Sequence, residues 1–179
     1  MKCMIVSDIH GSYNDLKKVI DIFEEEQMDK LLLLGDLLYH GPRNPLPEGY
    51  NPKEVAILLN QYKDKIIAVR GNCDAEVDQM VLDFPMRGDY AEVFIDNHRF
   101  FMTHGHLYDK ENMPLVNKGD ILMYGHYHKP ILEKEKGIVI FNPSSIALPK
   151  EGVKSYGVYE NHVLSLFSLE KVLLNTLEI

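Results

Sequence analysis

Apolar residues fall along this chain in two rhythms. In the first half they gather into short unbroken runs, Cys3 to Val6, Leu31 to Leu34 and Ile66 to Val69, each closed by a polar or glycine step: Ser7-Asp8, Gly35-Asp36 and Gly71-Asn72. Runs of that length, rich in branched side chains, predict strands buried on both faces. Between the first two, Leu16, Val19, Ile20 and Phe23 recur at helical spacing, with Ser12 or Asn14 available as a cap and Glu24-Glu25-Glu26 as a solvated end. Val55, Ile57, Leu58, Leu59 and Tyr62 predict a second helix before the third run. Strands alternating with helices imply parallel pairing through right-handed crossovers, and such sheets gather ligands at the carboxyl ends of their strands. Those ends carry Asp8, Asp36 and Asn72.

The second half changes rhythm. Glu92 to Ile95 and Arg99 to Thr103 flank Asp96-Asn97-His98, Ile131 to Lys134 and Ile138 to Asn142 flank Gly137, and Tyr156 to Tyr159 and Val163 to Leu169 flank Glu160-Asn161. These read as hairpins. The Pro-rich stretch from Gly41 to Pro52 reads as a surface loop, since a boundary there would leave an N-terminal piece too small to be stable alone. One domain over residues 1–179 is the expectation.

Composition narrows the function classes. The 19 basic and 27 acidic residues leave a net charge of −8, the wrong sign for a protein that holds a nucleic-acid duplex by its phosphates. No apolar run approaches the length needed to cross a bilayer, and the residues after Lys2 form no signal segment. Two cysteines, Cys3 and Cys73, suit thiols in a reducing compartment, and a cytoplasmic location is expected.

The eight histidines are unevenly placed. His104 and His106 flank Gly105, His126 and His128 flank Tyr127, and His10 follows Asp8 at the same interval. Residues two apart on an extended strand share a face, so Asp8 with His10, or His126 with His128, would converge on one point. Imidazole, carboxylate and amide donors without thiolate suit Mn, Fe or Zn in an open catalytic site. The set is large enough for two metals, which points to hydrolysis. His40, His98 and His162 read as surface residues, Tyr127 as packing unless it lines a groove, and Cys3 as core.

Asp8-Ile9-His10-Gly11, Gly35-Asp36, Gly71-Asn72-Cys73-Asp74, Thr103-His104-Gly105-His106 and Gly125-His126-Tyr127-His128 follow one another along nearly the whole chain. In that order they resemble the motifs of the calcineurin-like metallophosphoesterases. The segment from His40 to Pro52 is similar to that of a narrower group of small bacterial phosphodiesterases within the family. The resemblance implies an α/β fold, a four-layer α/β/β/α sandwich of two mixed β-sheets, with a binuclear metal site at one edge. It places Asp8, His10 and His128 on a first divalent ion, Asn72, His104 and His126 on a second, and Asp36 between them. The ions implied are Mn2+ first, with Zn2+, Fe, Ni2+ or Mg2+ as alternatives. The activity implied is hydrolysis of a small phosphodiester by a hydroxide shared between the ions. A phosphomonoesterase using the same site, or a catalytically silent protein-binding scaffold, are the other readings, and a homo-oligomer is implied by the narrower group.

Three further residues bear on the chemistry. Arg43 could clamp two phosphate oxygens, or be an ordinary exposed loop arginine. Many relatives place a histidine after the Gly-Asn pair as proton donor to the leaving group, where this chain has Cys73. A thiol is a poor acid near pH 7, so good leaving groups would be favoured, with His106 a possible replacement donor.

Overall fold

The computed structural model describes residues 1–179. The first half builds strands β1 (Cys3–Val6), β2 (Lys30–Leu33) and β3 (Ile66–Ala68), with helices α1 (Tyr13–Glu25) and α2 (Pro52–Asn60) in the crossovers. β1 pairs with β2 and β2 with β3 in parallel, as the alternation of elements requires. The second half adds β4 (Tyr90–Ile95), β5 (His98–Thr103), β6 (Ile121–Met123), β7 (Pro130–Glu135) and β8 (Ile138–Pro143), then β9 (Ser155–Glu160), β10 (Val163–Ser168) and β11 (Leu173–Glu178).

These strands form two mixed sheets, one ordered β11-β10-β9-β1-β2-β3 and the other β4-β5-β6-β8-β7. The N-terminal strand is central in the first, because β9 lies antiparallel against it with Cys3 opposite Tyr159. Side-chain alternation sorts the core into layers. Met4 and Val6 of β1 and Leu31 and Leu33 of β2 face Leu16, Val19, Phe23, Val55 and Leu59 of the helices. Cys3, Ile5 and Leu32 point the other way, against Phe100, Met102, Ile121, Met123, Val139 and Phe141 of the second sheet. Phe101, Leu122 and Ile140 fill the outer face of that sheet with Tyr124, Tyr108 and Val116. The four layers are those expected, but the outermost is the irregular segment 104–120, not helix.

Local chemistry differs from expectation at one cap. Ser12 sits at the N-cap of α1, yet its hydroxyl makes no capping bond and donates instead to Asp15 Oδ2 at 2.6 Å. Asn51 caps α2 in the ordinary way, accepting from the Glu54 amide, with Pro52 in the first turn.

Candidate metal centre

Five loops bring the predicted residues to one end of the two sheets. Asp8 and His10 follow β1, Asp36 follows β2, Asn72 follows β3, His104 follows β5, and His126 and His128 follow β6. The convergence does not come from strand faces. Asp8, His10, Asp36, His126 and His128 lie beyond the strands, with φ of 55°, 49°, 55°, 64° and 55°. This left-handed region costs an L-residue roughly 1–2 kcal/mol, and Asp and His tolerate it better than most. Each loop therefore coils back within two or three residues and turns its donor inward, which corrects the same-face expectation.

Glycines let the loops approach. A Cβ on Gly71 would lie 2.0 Å from Asp36 Oδ1, and one on Gly125 would lie 1.8 Å from Ser7 Oγ. Asp74 then ties two of the loops, its Oδ2 accepting from the amides of Asp36 at 2.8 Å and Gly71 at 2.7 Å, and its Oδ1 from Leu37 at 2.8 Å.

Three imidazoles are oriented by the same device. His10 Nδ1 lies 2.9 Å from the Tyr39 carbonyl, His104 Nδ1 2.7 Å from that of Leu34, and His128 Nδ1 2.5 Å from that of Leu148. A carbonyl only accepts, so each Nδ1 carries a proton and each Nε2 points inward, its lone pair available to an ion wherever the ring holds no second proton. His10 Nε2 and His128 Nε2 then face each other across 3.1 Å, and His104 Nε2 faces Asn72 Oδ1 at 3.1 Å. Facing acceptors repel unless a proton or cation lies between them.

The carboxylates complete the cluster. Asp8 Oδ2 accepts from the Ser7 hydroxyl at 2.6 Å and the His126 amide at 3.0 Å. Asp8 Oδ1 is buried without a hydrogen-bond partner, 3.1 Å from His128 Nε2 and 3.5 Å from His10 Nε2. Asp36 Oδ1 accepts from the Cys73 amide at 2.8 Å, leaving Oδ2 between His104 Nε2 at 3.3 Å and His10 Nε2 at 3.7 Å. Donor atoms converge in three groups: Asp8, His10 and His128; Asp8, Asp36 and His104; and His10, Asp36 and Cys73.

The electrostatics call for positive charge. Burial alone would lift Asp8 and Asp36, but the surrounding imidazoles hold both carboxyls down, Asp8 well below its usual range. Burial alone would lower His104, yet Asp36 and Asp8 push it up to about 9. A buried group of anions and imidazoles that retains a proton in this way fits a divalent cation, which would replace the proton. The donors, nitrogen and oxygen together, suit a catalytic ion.

The other expected residues are placed as follows. His126 joins none of the three donor groups; its ring packs on His104 and Tyr127, and burial with the charge of His104 lowers it to about 4. His106 lies beside His104 with its Nδ1 buried and unpartnered. Arg43 is exposed on the wall of a cleft of about 780 Å³ that reaches Asp36, Asn72, His126 and His128. Tyr127 also lines that cleft and is 40% exposed, so it does not serve mainly as packing. Tyr108 packs on Phe101 and does not line that cleft. His40 is half-buried between Tyr39 and Tyr50, not a surface residue.

Sequence reasoning missed four contributors. Asp74 stood in a quoted motif without a role, and Ser7 and Ser145, whose hydroxyl donates to the Asp8 carbonyl at 2.7 Å, carried no signal. Lys150 lines the cleft opposite any motif, its amide donating to the His128 carbonyl at 2.9 Å. Cys73 entered as a substitution and not as a donor, although its thiol, pushed up to about 12 by burial and by Asp36, sits among the converging groups.

Comparisons with known proteins agree with this geometry. The family model described as "Calcineurin-like phosphoesterase superfamily domain" matches residues 1–162. Phosphodiesterase YfcE of Escherichia coli (strain K12) is 49% identical over 170 residues, covering 94% of this chain and 92% of that protein. Phosphodiesterase MJ0936 of Methanocaldococcus jannaschii is 25% identical over 171 residues, covering 89% and 93%. The solved structure of YfcE, described as a phosphoesterase from E. coli, superposes with a TM-score of 0.98 at 46% identity over 100% of both chains. The chain thus belongs to the calcineurin-like phosphoesterase superfamily.

Proposed function

We propose that this protein is a metal-dependent phosphodiesterase acting on small phosphodiesters. The observation that carries the reading is the inward-facing set of acceptors: Asp8 Oδ1 without a partner, and His10 and His128 Nε2 opposed at 3.1 Å with their protons locked on the far side. Asp8, His10 and His128 would hold one divalent ion and Asn72, His104 and His126 a second, with Asp36 serving both. Divalent ions bound there supply Lewis acidity, which acidifies water and meets the negative charge of the phosphoryl group.

The protein's own part is orientation and binding. The carbonyls of Tyr39, Leu34 and Leu148 hold the rings of His10, His104 and His128 in place before substrate arrives. Arg43 and Lys150 stand on the cleft wall without carboxylate partners and can bind phosphoryl oxygens, Arg43 through two N–H groups at once. Cys73 stands at the position where the family resemblance implies the proton donor to the departing alcohol, and a thiol would serve that step poorly. Diesters with acidic alcohols are therefore favoured. The reading carries with it manganese as the preferred ion, a cytoplasmic location, a single domain over residues 1–179 and a homo-oligomeric assembly.

The test is hydrolysis of bis-p-nitrophenyl phosphate and p-nitrophenyl phosphate by metal-stripped protein, with Mn2+, Mg2+, Zn2+ or nothing restored. Diester cleavage that returns with Mn2+ and is lost in Asp36→Asn supports the proposal. Preference for the monoester would favour a phosphomonoesterase, and no turnover by folded protein with any ion would favour the scaffold reading.

A further inference from the structure

His98 and His162 lie far apart in sequence and belong to different sheets, the first opening β5 and the second in the β9–β10 turn, yet His98 Nε2 and His162 Nδ1 face each other at 3.0 Å. The spacing repeats the 3.1 Å between His10 Nε2 and His128 Nε2 in the metal centre. Two nitrogens bound at right angles to one ion, each ~2.0–2.1 Å away, would be about 3 Å apart. We propose that His98 and His162 form a second, peripheral cation site, selective for imidazole-preferring ions such as Cu2+, Ni2+ or Zn2+, whose occupation clamps the far ends of the two sheets together.

The site is separate from the metal centre. His98 opens β5 and His104 follows its last residue, a strand length of roughly 20 Å at about 3.3 Å per residue. It is also rigidly built. Asp96 and Asn97 have φ of 50° and 67°, and Asn161 and His162 have φ of 50° and 64°, the paired positive values of tight hairpin turns. The His162 carbonyl further accepts from the Ile179 amide at 2.9 Å, and Asp96 is held by the Tyr159 hydroxyl at 3.0 Å. Both imidazoles thus stand on turns fixed by neighbouring elements, so little ordering cost remains on binding.

The ligand chemistry separates the two sites. The metal centre mixes carboxylate and amide oxygen with nitrogen and accommodates Mn2+, whereas a pair of imidazoles offers nitrogen alone and ranks Cu2+ far above Mn2+. His162 is exposed and His98 half-buried, which leaves the remaining positions of the ion open to water or to a chelator.

The experiment uses full-length protein with its central site first loaded with Mn2+. Cu2+–iminodiacetate, a chelate with open positions for two imidazoles, is then titrated and followed by electron paramagnetic resonance. The expected result is one Cu2+ per chain with coupling to two imidazole nitrogens, and binding at least tenfold weaker in His98→Ala and in His162→Ala, the loss set by the effective concentration of the second ligand. Asn at either position, a polar residue without imidazole, repeats the test where Ala disturbs the turn. Saturating Ni2+ should also raise the melting temperature of the parent protein by more than that of either variant, the difference reporting the peripheral site alone. Cu2+ affinity equal within twofold in the parent and the single variants, or no saturable Cu2+ at all, would overturn the proposal and leave the pair as a hydrogen bond.

Discussion

The backbone amide of Asp36 donates to Asp74 Oδ2 at 2.8 Å, so the residue proposed to be shared by two ions is held by a carboxylate that joins none of the converging donor groups. The same carboxylate takes the amides of Leu37 and Gly71, which makes one buried side chain the acceptor for three N–H groups from two loops. Replacing Asp74 with Ala leaves all three buried donors unpaired. At about 1–3 kcal/mol for each such group, partly relieved by water, the expected loss is at least about 3 kcal/mol of folding stability, read by urea unfolding of metal-free protein. Asp74→Asn keeps one acceptor oxygen and should lose less. A loss below about 1 kcal/mol for the Ala variant would mean that the loops hold themselves.

Metal loading should release protons. His104, pushed up to about 9, carries a proton at neutral pH in the metal-free protein and must shed it before Nε2 can bind an ion. Affinity for Mn2+ therefore rises with pH until about 9 and falls below it, by up to about tenfold per pH unit for one proton displaced. Calorimetric titrations in buffers of different ionisation enthalpy read that proton directly. A heat independent of the buffer would refute the linkage.

Close approach of the loops should be intolerant of any side chain at Gly125. A Cβ there would lie 1.8 Å from Ser7 Oγ and 2.5 Å from Asp8 Oδ2, so Gly125→Ala must displace the carboxylate that the His10 and His128 rings surround. Diester hydrolysis should fall by at least ~100-fold, in keeping with the cost of a small misplacement at a catalytic centre. Gly119→Ala, where a Cβ meets nothing within 4 Å but φ is +98°, is the comparison: it strains the backbone away from the donors and should lower stability while keeping most of the activity.

The leaving group should reveal the role of position 73. Cys73→His places an imidazole where the thiol stands, and general-acid assistance is worth about 10²-fold or more when the alcohol is a poor leaving group. Rates on alkyl diesters should rise by at least ~10-fold, while rates on p-nitrophenyl esters barely change. Equal rates on alkyl diesters in parent and variant would remove the leaving-group argument.

Arg43 should act on binding. Its guanidinium lines the cleft with no carboxylate partner, so Arg43→Ala should raise KM for diesters by about 10-fold with a smaller effect on kcat, and Arg43→Lys should recover only part of it. An unchanged KM would return Arg43 to the status of an ordinary loop residue.

Much of the architecture was written plainly in the apolar pattern. β1 is buried throughout and β2 and β3 nearly so, and the three expected hairpins form about short polar turns, so both rhythms survive into the structure. β6 did not announce itself, because three residues from Ile121 to Met123 are too few to show a period. β11 was invisible for the opposite reason: nearly every side chain of this edge strand is exposed, and no apolar stripe marks it. The donors at the metal centre were legible as residue types beside glycines at strand ends. The way they converge was not, since it depends on left-handed turns at Asp8, His10, Asp36, His126 and His128 and not on a shared strand face. Nor could Asp74, Ser7, Ser145 and Lys150 be assigned, because each works through hydrogen bonds to backbone or loop atoms remote in the chain.

The pairing of Cys3 with Tyr159 has a consequence for how the chain is made. Synthesis proceeds from the N-terminus, so β1, β2 and β3 emerge together with α1 and α2 and can pair long before β9 is translated. Until then one edge of β1 is an open row of amides and carbonyls flanked by apolar side chains, the kind of surface that recruits foreign strands. A ribosome stalled shortly before residue 155 would hold such a chain with its first sheet unsealed. The nascent protein is thus most exposed to misassembly late in translation, and holdase chaperones that mask strand edges would matter most in that interval.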